Sequence, residues 1–450
     1  MRLLVANRGE IAVRIIRAAR DLGIGTVAVH SKADADALHV RLADTAVAIG
    51  PSPASKSYLV ADAILAAAKE TGADAVHPGY GFLSERASFA AAVAGAGLTF
   101  VGPDAATIER MGDKVAAREV ARAAGVPTVP GTPGGVDDAD AAVAAAEEVG
   151  YPVMLKAAAG GGGRGIRVVA DADPLRTAFG QASTEAEKAF GDGTMYLERF
   201  VERARHVEVQ VLGDGRDAVH LFERECSLQR RRQKVVEEAV SPGITEATRD
   251  AMTAAAVALC REVGYTSAGT VEFLVDDRTG EFFFIEMNTR IQVEHPTTEL
   301  VTGIDLVAEQ LRVATGEPLR FTQDAVERRG HAIEFRVCAE DPERDFLPQP
   351  GGVGRVTLPS GPWVRCDTWL EPDGTVPPYY DSLLAKVVVW GADRTEALAR
   401  SRRALDEFSV AGIPTTAGLL RTLAGEPWVA AADFHTGTLE QWLAEGKGTS

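Results

Sequence analysis

Hydrophobic residues follow two different patterns along the chain, and the first pattern occupies its N-terminal quarter. Up to about residue 113, short apolar runs alternate with stretches in which apolar residues recur every three or four positions. The runs predict buried strands at 3–6, 26–30, 46–49, 75–77 and 99–101, and the stretches predict helices at 10–22, 58–71 and 84–94. This alternation is typical of a parallel α/β sheet, whose ligands bind beyond the carboxyl ends of its strands. Residues 7–10 and 77–81 lie at that edge.

The remainder of the chain changes from a small α/β unit to a strand-rich pattern. Residues 114–200 predict the small unit, which contains a glycine run at 160–165. Strands are then predicted at 207–212, 218–223, 270–275 and 282–288, with a helix at 245–263. Further strands at 332–337 and 386–389 and a helix at 394–408 predict a mixed C-terminal unit. The fold class is therefore α/β and α+β, with several modules sharing one site.

Composition excludes some classes of protein. The 450 residues include 47 Lys and Arg against 64 Asp and Glu, a formal net charge of −17, which disfavours nonspecific nucleic-acid binding. Four widely separated cysteines without a CxxC pair indicate neither a disulfide framework nor a structural zinc site. The apolar runs are too short for a membrane helix or a signal peptide. We therefore expect a cytoplasmic protein without a membrane partner.

The most informative stretch is a predicted hairpin at 271–288. Two apolar strands flank an Asp/Arg/Thr/Gly turn, and folding the chain about Thr279 places Glu272 opposite Glu286. Two facing carboxylates repel each other unless a cation neutralises them. Hard oxygen ligands suit magnesium or manganese, so the hairpin predicts a divalent-metal site.

The second strand of this hairpin is predicted to continue, with strict alternation, to residue 294. One face would then carry two metal ligands, a cation, an amide and a carboxylate, namely Glu286, Asn288, Arg290, Gln292 and Glu294. A half-exposed strand with a solvated polar face would also alternate in this way. The opposed Glu272 and the ordered chemistry favour a binding site.

Two other stretches supply candidate anion contacts. Lys156 stands shortly before consecutive glycines whose backbone N–H groups can approach phosphate oxygens, although the GxxxxGK[ST] pattern is absent. The glycines alone are equally consistent with a flexible loop that binds nothing. Lys114 is a second lysine that can reach phosphates. Four of the five residues at 230–234 are Arg or Lys, which in an acidic protein favours a small anionic ligand.

Taken in order, these motifs resemble the biotin carboxylase branch of the ATP-grasp superfamily. The resemblance runs from Ala-Asn-Arg-Gly-Glu-Ile-Ala at 6–12 to Val-Pro-Pro-Tyr-Tyr-Asp-Ser at 376–382, nearly the whole chain. The segments at 77–85 (HPGYGFLSE) and 286–295 (EMNTRIQVEH) are specific to that branch. The resemblance implies three domains, 1–113, 114–330 with a mobile glycine-rich lid at about 130–203, and 331–450, with ATP between the lid and the C-terminal domain.

The resemblance also implies the residues of each subsite. ATP would be bound by Lys114, Lys156, Gly162, Gly163, Glu198, Arg199, Phe200, Val201, His206, Arg232, Glu272 and Glu286. Two magnesium or manganese ions would be held by Glu272, Glu286 and Asn288. Bicarbonate would be bound by Lys234, Arg290, Gln292 and the backbone of Val293, and biotin by Tyr80, Gly81 and Arg336.

The implied reaction is the ATP-dependent carboxylation of biotin. Glu294 would deprotonate bicarbonate, and the resulting dianion would attack the γ-phosphate to give carboxyphosphate, with Lys234 and Arg290 holding the anion. Carboxyphosphate would break down to carbon dioxide and phosphate within the closed lid, which excludes water. Arg336 would stabilise the deprotonated biotin, so the implied catalytic residues are Arg290, Glu294, Lys234 and Arg336.

Partners are implied as well. The carrier signature Ala-Met-Lys-Met does not occur, so biotin would arrive on a separate biotin carboxyl carrier protein and pass to a carboxyltransferase. Acetyl-CoA carboxylase, and with it fatty acid biosynthesis, is the default system, although several acyl-CoA, pyruvate and urea systems share this half-reaction. Family members are commonly homodimers, and the matching contact positions are Arg14, Arg17, Trp363 and Arg365.

Three positions depart from the usual family pattern. Arg199 and Arg232 stand where lysine and histidine are common, and Arg86 replaces a frequent asparagine. Two other functions stay open. A carboxylate–amine ligase of the same superfamily would keep the metal carboxylates but would not need Arg336. A nucleotide-binding regulatory subunit with a dead site would have lost a metal ligand or the base.

Overall fold

The computed structural model describes residues 1–157 and 166–446, and it begins with a five-stranded parallel sheet. The strands are β1 (Arg2–Val5), β2 (Gly25–Ser31), β3 (Thr45–Gly50), β4 (Ala75–His77) and β5 (Thr99–Phe100), in the order β3-β2-β1-β4-β5. The helices are α1 (Gly9–Asp21), α2 (Leu38–Leu42), α3 (Ala61–Thr71), α4 (Ala87–Gly95) and α5 (Ala105–Gly112). The predicted parallel α/β sheet is confirmed. Helices α2 and α5 were not predicted, because each is too short to show a helical period.

Both faces of the parallel sheet are buried, because successive side chains of a strand enter different cores. Leu3 of β1 packs with Ile11 of α1 in one core, whereas Leu4 packs with Ile64 of α3 in the other. The loops after β1 and β4 meet at the carboxyl edge of the sheet. This edge is where the alternation of strands and helices predicts a ligand site.

A small antiparallel unit follows. Its elements are α6 (Lys114–Ala123), α7 (Ala139–Val149), β6 (Val153–Ala157), β7 (Ile166–Val169), α8 (Ala172–Phe190) and β8 (Met195–Arg199). The strands pair in the order β7-β6-β8, and α7 and α8 pack on them around a separate core that includes Leu155, Leu175 and Leu197. The glycine run at 160–165, with the predicted phosphate contacts Gly162 and Gly163, lies outside the described residues.

An eight-stranded antiparallel sheet forms the centre of the molecule. Its central elements are β9 (Ala204–Asp214), β10 (Ala218–Arg230), β11 (Gln233–Ala239), α9 (Glu246–Glu262), β12 (Thr266–Asp276), β13 (Phe282–Asn288), α10 (His295–Thr302) and α11 (Leu306–Ala314). The strand order is β13-β12-β9-β10-β11-β14-β21-β19, so the sheet continues past residue 330 into the C-terminal part.

The C-terminal part contributes three strands to this sheet and several short pairs. Its elements are β14 (His331–Cys338), β15 (Glu340–Asp341), β16 (Leu347–Pro348), β17 (Gly351–Gly352), β18 (Val356–Thr357), β19 (Val364–Thr368), β20 (Thr375–Val376), β21 (Leu383–Gly391), α12 (Arg394–Glu407), β22 (Ser409–Val410), α13 (Ala417–Gly425), α14 (Pro427–Ala430) and α15 (Thr438–Ala444). Single 3₁₀ turns occur at Lys32–Asp34, Ala54–Lys56, Gln323–Ala325 and Pro342–Arg344.

Alternation along the central strands separates an apolar face from a polar one. Val207 and Val209 of β9 pack with Leu259 of α9, whereas Glu208 and Gln210 project from the opposite face, where both side chains are buried. Because a buried carboxylate or amide needs partners, this face requires compensating polar groups. Within the described ranges, every helix is too short or too polar to cross a bilayer.

Gly79 in the loop after β4 permits the contact that joins the two loops at the carboxyl edge. Asn7 Nδ2 donates hydrogen bonds to the carbonyl oxygens of Pro78 and Tyr80, at 2.7 and 2.8 Å. Gly79 has a φ of +63°, and a Cβ at this position would lie 2.7 Å from Asn7 Nδ2. A side chain at residue 79 would therefore strain the backbone and displace Asn7.

We predict that Gly79→Ala lowers the free energy of unfolding by about 1–3 kcal/mol. Gly95→Ala is the matched control, because that exposed glycine ends α4 with no atom within 4 Å of an added Cβ. Urea unfolding of both variants measures the difference. Equal midpoints for the two variants would show that the Asn7 contact does not matter.

Candidate active site

Four adjacent strands of the eight-stranded sheet carry a row of charged side chains at one level. Glu286 of β13 pairs with Glu272 of β12, Glu272 pairs with Glu208 of β9, and Glu208 pairs with Arg224 of β10. Directly paired residues project from the same face of a sheet. Three carboxylates therefore stand side by side, and the row ends at an arginine. The opposition of Glu272 and Glu286 is the arrangement that the hairpin pattern predicts.

One buried and two half-buried basic side chains compensate two of these three carboxylates. Arg224 Nε donates to Glu208 Oε1 at 2.7 Å, and Lys234 Nζ lies 2.5 Å from Glu208 Oε2 and 3.1 Å from Glu272 Oε1. His206 Nε2 lies 2.9 Å from Glu272 Oε2. Burial alone would raise the pKa of Glu272, but Lys234 and His206 lower it far below its ordinary value. Lys234 is thus the shared cation of the row.

Glu286 is the exception in the row. Its half-buried side chain makes no hydrogen bond or ion pair to any residue that the structure describes. Burial and the charge of Glu272 raise its pKa, and Lys114 at the start of α6 opposes this shift. Because no described cation forms an ion pair with this carboxylate, the hairpin can accept a cation from solution.

The oxygen atoms near Glu286 fit a magnesium or manganese ion. Asn288 Nδ2 donates to Glu272 Oε1 at 3.0 Å, so these two predicted metal ligands are in direct contact. The side-chain amide oxygen of Asn288, Oδ1, which is the atom that a metal would use, accepts a hydrogen bond from Arg290 at 2.9 Å. Carboxylate and amide oxygens are the donors that hard divalent ions prefer.

Two other groups of potential ligands also lie close together, but Lys234 already bridges them. His206, Glu208 and Glu272 offer ligand atoms within 4.8 Å of one another, and so do Glu208, Cys226 and Glu294. The Nζ of Lys234 contacts two carboxylates in each group. Glu286 therefore remains the better anchor for an added ion.

The predicted continuation of the strand to residue 294 is wrong. Strand β13 ends at Asn288, residues 289–294 form an irregular segment and a turn, and Glu294 is the N-cap residue of α10. Pro296 lies in the first turn of that helix, where proline favours a helical start and its missing N–H is not needed. The alternation of polar and apolar residues predicted a strand because that pattern takes no account of a proline that favours the start of a helix.

The side chains of the irregular segment nevertheless converge. Arg290 donates to Gln292 Oε1 at 2.7 Å and, through Nε, to Glu85 Oε2 at 2.9 Å in the loop before α4. Gln292 Nε2 donates to Glu272 Oε1 at 3.2 Å. The segment thus holds Arg290 between the hairpin and the N-terminal sheet, and the guanidinium lies over the cleft beside Asn288.

Glu294 is completely buried between two cations. Lys234 Nζ lies 2.6 Å from Glu294 Oε1, and Arg336 Nη2 lies 2.9 Å from Glu294 Oε2. Burial alone would raise the pKa of Glu294, but Lys234 and Arg336 lower it well below the ordinary range. Glu294 is therefore ionised at neutral pH and is able to accept a proton.

A second pair of facing carboxylates lies behind Arg336. Glu237 of β11 pairs directly with Glu334 of β14, and both side chains are fully buried. Arg336 forms an ion pair with Glu237. Burial raises the pKa of Glu237 to about 7, against the attraction of Arg336. Burial also raises the pKa of Glu334 well above its ordinary value.

The predicted nucleotide contacts are only partly assembled. Glu198 forms ion pairs with Lys156 and with Arg118 of α6. Arg199 stacks over Phe283 at 4.8 Å and lies 3.1 Å from Glu281 Oε2. The Lys156 side chain therefore faces Glu198, and it would have to exchange this partner to reach a phosphate.

Of the other predicted nucleotide contacts, Phe200 and Val201 directly follow Arg199, whereas Arg232 lies in a separate turn. The N–H of Phe200 donates to the Pro152 carbonyl at 2.9 Å, and Val201 is buried against Phe283. Arg232 is exposed in the two-residue turn between β10 and β11, at a φ of +66°, without a hydrogen bond or ion pair to the described residues. Among the described residues, Arg232 thus makes no hydrogen bond or ion pair with the other predicted nucleotide contacts.

Two of the three predicted biotin contacts, Tyr80 and Gly81, line a cavity at the carboxyl edge of the parallel sheet. This cavity has a volume of about 120 Å³, and its walls include Asn7, Glu10, Tyr80, Gly81 and Trp369. Tyr80 also lies close enough to Arg336 for the guanidinium to lower its pKa, although burial raises that pKa well above the ordinary value overall. Arg86 is exposed beside Glu85.

Sequence reasoning missed the charged residues that surround the predicted ones. Glu208, Arg224, Glu237, Glu334 and Lys386 were not singled out, yet all five have fully buried side chains. One signal was available. Four of them, Glu208, Glu237, Glu334 and Lys386, follow or precede an apolar neighbour in a strand-forming run, so a charged residue recurs on one face of several strands.

Three family models match consecutive parts of the chain. They describe the biotin carboxylase N-terminal domain at residues 1–108, the ATP-binding domain of the carbamoyl-phosphate synthase L chain at 113–322, and the biotin carboxylase C-terminal domain at 334–441. The biotin carboxylase of Pseudomonas aeruginosa is 53% identical over 448 residues, which cover 99% of each chain.

Solved structures agree with these matches. The biotin carboxylase domain of a thermophilic 2-oxoglutarate carboxylase, bound to bicarbonate, is 44% identical, with a TM-score of 0.95 and 98% of each chain covered. The dimeric biotin carboxylase domain of the Hydrogenobacter thermophilus 2-oxoglutarate carboxylase, in complex with MgADP, ADP and bicarbonate, is 46% identical. Its TM-score is 0.89, over 98% of this chain and 97% of that one.

The Glu237–Glu334 pair predicts a pH dependence of stability. The folded-state pKa of Glu237 is about 7, above its ordinary value of 4.5, so the folded protein retains a proton that the unfolded chain has lost. Stability therefore falls as pH rises through this window. We predict that Glu237→Gln stabilises the ligand-free protein at pH 8 by about 1–3 kcal/mol, with a much smaller effect at pH 5.

Denaturant unfolding at both pH values measures this effect. Glu119→Gln on the exposed side of α6 is the control, and it should change stability little at either pH. A Glu237→Gln variant that is less stable than the wild type at pH 8 would contradict the assigned proton.

Proposed function

This chain belongs to the biotin carboxylase family and is an ATP-dependent ligase that carboxylates biotin, and we propose that Lys234, Arg290 and Glu294 activate bicarbonate for that reaction. The observation that supports this assignment is the row of facing carboxylates, which ends beside a cluster of cations with a buried base among them. Bicarbonate is a weak electrophile and needs phosphorylation before its carbon can be transferred.

Bicarbonate would bind between Arg290 and Lys234, with Gln292 and the backbone of Val293 completing the site. Arg290 offers a planar set of N–H donors, and Lys234 offers a point charge. The contacts that hold Arg290, to Glu85 and to Gln292, fix its orientation before the anion arrives. This preorganisation lowers the cost of binding a small anion.

Binding of the anion would also adjust the base. Glu294 is a weak base while Lys234 and Arg336 pair with it. A bicarbonate anion beside Lys234 adds negative charge and shares that cation, which raises the pKa of Glu294 towards the range of an effective general base. Glu294 then takes the bicarbonate proton, and the oxygen attacks the γ-phosphate to give carboxyphosphate and ADP.

The nucleotide would lie between the small antiparallel unit and the central sheet. Lys114, Lys156, Gly162 and Gly163 would contact its phosphates, while Glu198, Arg199, Phe200, Val201, His206 and Arg232 would surround the adenosine. Glu272, Glu286 and Asn288 would hold two magnesium or manganese ions, which neutralise the phosphate charge. The Lys156–Glu198 ion pair would open when the nucleotide enters.

Biotin would be held by Tyr80, Gly81 and Arg336. Carboxyphosphate breaks down to carbon dioxide and phosphate, the phosphate takes the proton of the ureido nitrogen, and that nitrogen attacks the carbon dioxide. Arg336 would stabilise the negative charge that develops on the ureido oxygen. Its ion pairs with Glu294 and Glu237 keep the guanidinium at this position.

The assembly is also part of the proposal. A biotin carboxyl carrier protein would present biotin, and a carboxyltransferase, by default that of an acetyl-CoA carboxylase, would receive the carboxyl group. A homodimer contact through Trp363 is supported by the 57% exposure of this side chain, which packs against Trp390 with the two rings tilted by 47°. Arg14 and Arg365 both bind Glu299 of the same chain, so they would support this surface from beneath.

The domains would span residues 1–113, 114–330 and 331–450, with a lid at about 130–203, and the separate core of the lid supports this division. A cytoplasmic location is supported by the four free thiols.

The reaction is tested by phosphate release from MgATP. We predict release that depends on bicarbonate and increases at least about tenfold with free biotin. A carboxylate–amine ligase would ignore biotin, and a regulatory subunit with a dead site would release no phosphate. Either result would exclude the proposed function.

Arg336→Met should separate the two half-steps. We predict that carboxylation of free biotin falls about 100-fold or more, because one charged stabiliser of the transition state is lost. Bicarbonate-dependent ATP cleavage without biotin should fall less than about tenfold, since Lys234 still faces Glu294. Equal losses in both assays would show that Arg336 already acts in the bicarbonate-dependent cleavage of ATP, before biotin reacts.

A further inference from the structure

Lys386 is a completely buried lysine that lies within the site but has no role in the proposed chemistry. Its side chain on β21 is 0% exposed, and its Nζ donates a hydrogen bond to the carbonyl oxygen of Val293 at 2.7 Å. The same Nζ lies 3.2 Å from Glu10 Oε1. Lys386 thus connects the segment that would bind bicarbonate to helix α1 of the parallel sheet.

The position of Lys386 in the sheet places it on the charged face. It pairs directly with Arg336 of β14 on one side and with Asp367 of β19 on the other. Ala385 and Val387, its neighbours along β21, point into the apolar core on the opposite face. The ammonium group therefore projects beside Arg336, below the turn at 291–294.

Glu10 extends the connection to the loop after β4. It is the second residue of α1, is 3% exposed, and accepts a hydrogen bond from the Tyr80 hydroxyl. Its other oxygen, Oε2, is buried without a hydrogen-bond partner in the structure. Tyr80, Glu10, Lys386 and Val293 therefore form one chain of polar contacts across three parts of the molecule.

Packing does not explain a lysine at this position. Moving an ammonium group out of water costs several kcal/mol, and an unbranched apolar side chain would fill the same space without that cost. The carbonyl oxygen of Gln292 accepts hydrogen bonds from the turn itself, from the N–H and Nδ1 of His295. The Val293 carbonyl, by contrast, is held by a side chain from a distant strand.

We propose that Lys386 is a positioning residue, which fixes the Val293–Glu294 peptide for bicarbonate and, through Glu10, couples that peptide to the Tyr80 loop on the biotin side. This inference rests on the proposed function. Because the Val293 carbonyl belongs to the peptide that begins Glu294, its orientation determines where the base points. Movement of the Tyr80 loop is transmitted to this peptide through the Glu10–Lys386 ion pair.

Lys386→Met tests the first half of the proposal. We expect the KM for bicarbonate in biotin-free ATP cleavage to rise about tenfold or more, while the KM for MgATP changes less than about twofold. Arg394→Met is the matched control, because it removes an ion pair with Glu238 at the far side of the same sheet. The control should leave both KM values unchanged, even if it lowers the thermal unfolding midpoint as much as Lys386→Met does.

A double-mutant cycle tests the coupling. Tyr80→Phe should raise the KM for free biotin in the wild-type background. The same substitution should have an effect at least about twofold smaller in the Lys386→Met background, because the chain of contacts is already broken there. Additive effects would show two independent local contacts and would overturn the coupling. An unchanged KM for bicarbonate in Lys386→Met would overturn the positioning role.

Glu10→Gln provides a second variant if Lys386→Met does not fold. The amide keeps the shape of Glu10 but removes the ion pair, so the KM values for bicarbonate and biotin should both rise. Unchanged values in this variant would contradict the proposal. Wild-type protein that shows no bicarbonate-dependent ATP cleavage would instead contradict the proposed function, so the two failures can be distinguished.

Discussion

The repulsion between carboxylates held side by side on a rigid sheet determines the arrangement of this site. Glu286, Glu272 and Glu208 occupy paired positions on neighbouring strands, and the apolar core on the other face fixes their spacing. Facing carboxylates a few ångströms apart in a cleft cannot all remain ionised without compensating charge. The cations around them are therefore a requirement of the fold.

The protein supplies part of that charge and leaves part of it to the ligand. Arg224, Lys234 and His206 satisfy Glu208 and Glu272, whereas no cation among the described residues forms an ion pair with Glu286. Lys234 contacts three carboxylates at once. Bound at the proposed position, bicarbonate would compete for this lysine, so its binding and the ionisation of Glu294 would be linked.

The same principle extends into the C-terminal part of the sheet. Arg336 lies between Glu294 and the Glu237–Glu334 pair, and Lys386 lies next to it on β21. Partners from a neighbouring strand, a helix and the turn hold Arg336 and Lys386 in place. The row of strands thus acts as a scaffold on which the N-terminal loops, the turn at 291–294 and the C-terminal strands meet.

The parallel sheet and the Glu272–Glu286 hairpin could be predicted because they depend on local periodicity and turn chemistry. The path of residues 289–294 could not, since alternation of polar types predicted a strand where Pro296 and the Glu294 cap begin a helix. Glu208 and Lys386 were not predicted as site residues, because a charged residue in an alternating strand normally faces solvent. Their burial results from long-range pairing, which single-sequence patterns do not contain.

The most direct test of this account is a crystal structure with manganese and ADP, in which anomalous scattering locates the ion. The account predicts manganese about 2.0–2.3 Å from carboxylate oxygens of both Glu272 and Glu286. Manganese bound by phosphate oxygens alone, with Glu286 in contact only with water, would contradict it.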